Sequence, residues 1–292
     1  MAAPAQDSPG TGVAFASGPG RWVLLIAVLG SGIAFLDGTV VNVALPDIGR
    51  DLDASTSSLQ WMLNGYLLTL ASLILLGGSL GDRLGRRRIF VVGVAWFTAA
   101  SALCAAAPSA DALVFARLLQ GVGGALLTPG SLAMIEASFR KEDRARAIGA
   151  WSGLTGVAVA IGPLLGGWLV EAVSWRAIFL INLPLGAFVA LAATRTVPET
   201  RDPDADGPLD SLGALLAALG LGGTTYALIE APEAGASAAV LVAAIGGVLA
   251  LAAFVVVERR APNPMLPLTM FSSRQFTSAN LVTFVVYAAL GG

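Results

Sequence analysis

Nine long apolar stretches run along this chain: Trp22–Leu45, Leu59–Leu80, Ile89–Ala107, Ala112–Ile135, Ala145–Val170, Ala177–Thr194, Ser211–Ile229, Ser237–Val257 and Phe276–Gly292. Most are near the ~20 residues that a helix needs to cross hydrocarbon. Lipid offers no partner to an exposed peptide group, so such stretches are expected to satisfy their hydrogen bonds internally, as α-helices. Threaded in order from a cytoplasmic N-terminus, they place on the inner side Arg21, Arg83, Arg86, Arg87, Arg88, Arg140, Lys141, Arg144, Arg146, Arg195, Arg201, Arg259, Arg260 and Arg274. Arg50 and Arg176 fall outside, and Arg117 lies within a span. Lys and Arg resist translocation, so this sorting predicts a multi-pass protein of the plasma (inner) membrane with its N-terminus in the cytoplasm.

Composition excludes several alternatives. A chain with 56% hydrophobic and 12% charged residues and mean hydropathy +0.78 is not expected to be soluble. A net charge of −2 argues against a nucleic-acid partner. Histidine is absent, which removes His-based metal sites, Ser/His dyads and the usual neutral-pH proton relay. Any protonation switch must then be a carboxylate. Cys104, the lone thiol, cannot form an intrachain disulfide, and with no His and no Cys pair the chain is not expected to be an enzyme or to hold a metal.

Six spans joined by short loops occupy 21–194, after a tail at 1–20 that is expected to be uncleaved, cytoplasmic and disordered. A polar cytoplasmic linker follows at 195–210, then a two-helix hairpin at 211–257. The second inner segment, 258–275, carries prolines at 262, 264 and 267 and is expected to be extended or interfacial. The ninth stretch, 276–292, reaches roughly 25 Å at 1.5 Å per residue and stops with no polar flank. A longer parent chain is therefore expected, the alternative being a poorly anchored last helix.

Four motifs carry chemistry. Between spans two and three, GGSLGDRLGRRRIF places Gly78, Asp82, Arg83, Gly85, Arg86 and Arg87 in a short loop. The glycines permit a tight turn, and Asp82 can meet a helix N-terminus or an arginine. The arginines also suit a plain anchor at an anionic surface, although that leaves Asp82 unexplained. In the fourth span, ARLLQGVGGALLTPG sets Arg117 about five residues, or ~7 Å, inside its outer end. An ionisable group there marks function by default, with snorkelling as the simpler reading. The fifth span, GAWSGLTGVAVAIGPLLGGWL, spaces Gly149, Gly162, Pro163, Gly166 and Gly167 for close helix approach, with Pro163 as a site of bending. In the first span, FLDGTVVNVALP contains Asp37, the carboxylate well inside the first six spans, about eight residues or ~12 Å from the outer end.

The loop motif resembles the G-x-L-x-D-R-x-G-R-[RK] signature of the major facilitator superfamily. The fourth-span run resembles that superfamily's R-x-x-Q-G-x-G-x-A motif, and the fifth-span run its antiporter motif, with Ala158 in place of one glycine. The first-span run, from Leu36 to Pro46 with Asn42, resembles the signature of fourteen-span drug:proton antiporters of the EmrB/QacA type. LQWMLNGYLL with Trp61 and Tyr66, and SWRAIFLINLPLG with Trp175, Arg176, Asn182, Pro184 and Gly186, add weaker matches.

The resemblance implies an all-α major facilitator fold: an N-terminal six-helix bundle, two linker helices and the start of a C-terminal bundle. It implies proton-coupled efflux of hydrophobic or cationic small molecules such as drugs, with protons as coupling ion and no other cofactor. Asp37 then accepts the proton and Arg117 tunes it, since a nearby cation favours the ionised carboxylate and burial the neutral acid. A static bridge neutralising two buried charges is the competing reading. The loop residues would form a conformational latch, and Asn42 would contact substrate or bond a neighbouring helix. The partners implied are a small-molecule substrate, the bilayer and the missing C-terminal bundle. Export of a specific metabolite and a truncated, non-transporting membrane fragment remain as alternatives.

Overall fold

A computed structural model of the chain describes residues 12–202, 210–261 and 264–291. The described residues form α1 (Gly18–Asp51), α2 (Thr56–Leu84), α3 (Arg86–Ala106), α4 (Ala110–Ser138), α5 (Lys141–Ala172), α6 (Ala177–Leu180), α7 (Asn182–Thr196), α8 (Ser211–Ala234), α9 (Ala238–Arg260) and α10 (Arg274–Gly291). Among them the only β-type pairing is a bridge between Val13 and Phe139. With α6 and α7 taken together, eight helices among the described residues are long and apolar enough to cross a membrane. The ninth expected span forms α10 but stands outside those eight. Its described side chains are mostly exposed, and its main contact is the short 3₁₀ turn Leu268–Ser272.

Short polar residues start the helices. Ser17, Ser55, Ser109, Asp210 and Ser237 each accept a hydrogen bond from a backbone N–H three residues on, satisfying one orphan donor of the first turn. The sixth span is broken at Ile181 because Pro184 has no N–H for the carbonyl of Leu180 and crowds it. At the tight turn between α2 and α3, Gly85 adopts φ +119°, and a Cβ there would lie 2.7 Å from a Glu199 carboxylate oxygen.

The expectation of a disordered tail through residue 20 does not hold from residue 12 onward; residues 1–11 lie outside the described residues. Val13 N donates to Ser138 O at 2.8 Å, and Arg140 N to Val13 O at 3.2 Å. Phe15 N donates to Asp143 Oδ2 at 2.9 Å, while the Arg146 guanidinium covers the Phe15 ring at 4.4 Å. Small residues gave no sequence signal for this, because the segment is held by backbone bonds and one aromatic ring. Part of the expected linker, residues 203–209, also lies outside the described residues.

Helices α2, α3 and α4 pack closely, as do α1 and α5. One core cluster joins Val23, Phe90, Phe139, Ala147 and Val197, which gathers the start of α1, the start of α3, the α4–α5 junction and the end of α7 at a common, arginine-rich end. A second cluster, around Val40, Met62, Leu113 and Phe179, lies toward the opposite end. Helices α8 and α9 form a hairpin against α2. At the end away from the arginines, Ser57 Oγ and Trp61 Nε1 donate to Glu230 Oε1 at 2.7 and 2.8 Å.

Candidate functional site

Asp37 on α1 and Arg117 on α4 form an ion pair, each only 1% exposed. A charged pair this deep survives only when its remaining hydrogen-bonding capacity is filled. Arg117 donates Nε to Met62 O at 2.9 Å and Nη1 to Gln120 Oε1 at 2.6 Å, as well as to Asp37 Oδ2. Its guanidinium lies 4.3 Å from the centroid of the Tyr66 ring. Tyr66 in turn donates its hydroxyl to Ala34 O at 3.0 Å, fixing the ring.

The other carboxylate oxygen, Asp37 Oδ1, accepts from Gln120 Nε2 at 2.8 Å and from Asn182 Nδ2 at 3.1 Å. Ser101 Oγ on α3 accepts from the same two amides at 2.9 and 3.3 Å. Five spans therefore converge on one carboxylate, and the break at Ile181 sets Asn182 at the first position of α7, facing it. Both oxygens of Asp37 are engaged as acceptors. No group of three or more His, Cys, Asp or Glu side chains able to hold a metal occurs among the described residues.

The sequence brought Asp37, Arg117 and, within the fourth-span motif, Gln120 into view. Asn182 stood only in a weak match, and Ser101 was missed: a serine in a span has no spacing that ties it to a carboxylate on another span. A cavity of about 160 Å³ beside the site is lined by Gly32, Leu36, Ala158, Leu165, Asn182 and Leu185 among others, with Asn182 the one polar side chain in its wall.

The motif expected in a short loop is carried instead by two helix ends, with Gly78, Asp82 and Arg83 in the last turns of α2, Gly85 alone making the turn, and Arg86 and Arg87 opening α3. Asp82 pairs with Arg86 at 2.8 Å, and Asp82 O accepts from Asp202 N at 2.9 Å. Arg87 reaches Glu199 at 3.6 Å and Val197 O at 3.0 Å. Glu199 Oε1 also accepts from Arg87 N at 3.1 Å, supplying from the linker the cap that α3 lacks locally. Gly78 faces Pro129 on α4. Glu199 was passed over because it sits in a stretch that reads as plain polar linker.

On α5, added bulk at Gly162 or Gly166 would run into Thr39 or Val40 of α1, and Gly167 lies near Val43. Gly149 faces open space. It stands nine residues from Ala158, half a turn out of phase with the packed face at 100° per residue. Asn42 is exposed on α1, its amide donating back to Gly38 O at 3.0 Å. Of the weaker matches, Trp175 Nε1 and Arg176 Nη1 both donate to Asp51 Oδ2, at 2.9 and 2.7 Å, tying the end of α1 to the start of α6.

The Major Facilitator Superfamily profile matches residues 27–292. The Methylenomycin A resistance protein of Bacillus subtilis (strain 168) is 42% identical over 278 residues, covering 94% of this chain and 59% of the relative. The Puromycin resistance protein pur8 of Streptomyces alboniger is 42% identical over 251 residues, covering 85% of this chain and 50% of the relative. A crystal structure of a bacterial homolog to the human lysosomal transporter Spinster, inward-facing and occupied, superposes with TM-score 0.53 at 25% identity, covering 86% of this chain and 64% of that one. The chain spans about half the length of the curated relatives it matches. An all-α fold with eight membrane-length helices, built around a buried charge pair and matched along most of its length by transporters rather than enzymes, identifies the chain as a member of the Major Facilitator Superfamily.

Proposed function

We propose that this chain is the N-terminal part of a fourteen-span drug:proton antiporter of the EmrB/QacA type. It exports hydrophobic or cationic small molecules, antibiotics among them, from the cytoplasm in exchange for protons. The observation that carries the reading is the Asp37–Arg117 pair, sealed at the meeting of five spans in a superfamily of transporters. Charge inside a span is costly and is kept by default for function. The names of the methylenomycin A and puromycin resistance relatives support a drug as cargo.

In this reading Asp37 is ionised while Arg117, Gln120 and Asn182 surround it. A proton must displace one of those donors, so protonation loosens the contacts between α1, α4 and α7 and biases the bundle toward its other conformation. The Asp82–Arg86 and Arg87–Glu199 contacts act as the latch at the cytoplasmic end, and Asn42 presents a polar group to the substrate. The protein lies in the plasma membrane with its N-terminus inside, as the arginine distribution supports. A C-terminal bundle supplies the opposite wall of the cavity.

The test uses the full open reading frame expressed in a host sensitive to the drug, with everted vesicles energised by a proton gradient. Asp37→Asn at unchanged membrane abundance abolishes gradient-driven uptake of the drug. Uptake that persists in this variant makes the pair a static structural bridge and removes Asp37 from the coupling role.

A further inference from the structure

A pair of carboxyls lies apart from Asp37, at the foot of the hairpin. Glu258, near the end of α9, is only 3% exposed. Its Oε2 accepts from Leu266 N at 3.0 Å, while Oε1 has no hydrogen-bond partner among the described residues. Asp210, which caps α8, is in the same condition: Oδ1 accepts from Gly213 N at 2.8 Å, and Oδ2 is buried and without a partner among the described residues. The two unpartnered oxygens converge over Gly213, where a Cβ would lie 2.5 Å from Asp210 Oδ2 and 3.0 Å from Glu258 Oε1. The carboxyls are within hydrogen-bonding reach of one another.

Among the described residues the backbone N–H groups of Leu266 and Met265 are the donors that reach Glu258, and none stands between it and Asp210 Oδ2; one proton bound to the pair turns the repulsion of two anionic oxygens into an O–H···O⁻ hydrogen bond. The charged groups nearby do not replace that proton. Arg259 and Arg260 are exposed at the end of α9, and among the described residues no ion pair reaches Asp210 or Glu258. The segment held by Glu258 contributes Pro264 and Met265 to a cavity of about 450 Å³ whose far wall includes Gly78, Asp82 and Arg83, with Asp82 held by Arg86. From the described residues of α2, α8 and the 264–272 segment, no other charged side chain is paired with the two carboxyls.

We propose that Asp210 and Glu258 hold one proton between them, a second proton-binding site that clamps residues 264–266 against the foot of the hairpin and over the Asp82 end of α2. Losing the proton leaves two like charges in a buried site and releases the segment. The site responds to pH at the arginine-rich end of the bundle and does not depend on the role of Asp37.

The chain purified in detergent tests this in two ways. In infrared spectra at about pH 7, where exposed carboxyls are ionised, the parent carries a protonated-carboxyl band that both Glu258→Gln and Asp210→Asn lose. Trypsin cleavage after Arg260 and Arg274, scaled to an unstructured peptide with the same sites, rises about tenfold or more between about pH 6 and about pH 9 in the parent, because cleavage follows the open population. In Glu258→Gln it stays slow throughout, since the amide donates permanently to Asp210, and in Glu258→Ala it is fast throughout. An identical band in the parent and both variants, or a scaled cleavage rate flat with pH, overturns the proposal. Protection at high pH by sodium or calcium chloride but not by choline chloride, with no protonated band, assigns the oxygens to a metal ion and overturns it as well.

Discussion

The two members of the buried pair are not equivalent in the cost of their removal. Asp37→Asn leaves the Arg117 guanidinium with the carbonyls of Met62 and Gln120 and the face of Tyr66. Arg117→Met leaves Asp37 with two neutral amides, Gln120 and Asn182, and no countercharge. Breaking a buried pair from one side costs about 3 to 5 kcal/mol, with the aspartate variant at the lower end and the arginine variant at the upper. The double variant removes both charges and keeps the bonds that Gln120 and Asn182 make to the side-chain oxygen on α1, so its cost is that of a few neutral hydrogen bonds, about 2 kcal/mol. Unfolding by SDS titration in mixed micelles, followed by circular dichroism, measures all four corners of the cycle. These costs imply a coupling of about 6 kcal/mol, and a coupling below about 1 kcal/mol refutes the reasoning, because it means the charges do not depend on each other.

Other variants separate packing from capping and from access. Gly166→Val forces a side chain against Val40 and loses about 1 to 3 kcal/mol by the same unfolding assay, whereas Gly149→Ala, facing open space, is neutral or gains about 0.5 to 1 kcal/mol from helix propensity. Glu199→Ala removes the trans cap of α3 at a cost of about 1 kcal/mol, and hydrogen exchange at the Arg87 amide quickens while that at mid-helix Val94 does not. Asn182→Ala loses its bonds to Asp37 and Ser101 and opens the adjacent cavity toward the carboxylate. Carbodiimide labelling of Asp37, read by mass spectrometry, is then expected to rise several-fold, and unchanged labelling means that the cavity does not lead to the site.

The span pattern was legible because hydrocarbon demands long apolar helices, and eight of the nine expected stretches meet that demand. Asp37 and Arg117 were legible for the same reason: an ionisable side chain in such a stretch stands out from everything around it. Ser101 and Asn182 were not, since neutral polar residues are tolerated in membrane helices and their partners lie on other spans. Glu199 and the Gly12–Ser17 segment escaped for a different reason. Glu199 caps the first turn of α3 and the N-terminal segment is tied to residues 138–140 largely by backbone bonds, and backbone groups carry no signature in a sequence. The break at Ile181 follows from Pro184, but only the folded chain shows that it turns Asn182 toward the carboxylate.

The glycine-rich face of α5 and the buried carboxylate of α1 belong to one construction. Ala158, Gly162 and Gly166 recur every four residues and so lie along one stripe of α5. Their neighbours on α1 are Gly32 for Ala158, Thr39 and the carbonyl of Leu36 for Gly162, and Val40 for Gly166. These α1 positions bracket Asp37, so α5 rests against the turn that carries it. Small side chains bring the two backbones close enough that a change in the register of α5 is transmitted to residues 36–40 instead of being absorbed by flexible side chains. Ala158 in place of the motif's glycine fits this arrangement because it faces Gly32 across the cavity beside Asn182, and even a Cβ added at Gly32 would stand 3.8 Å from its methyl.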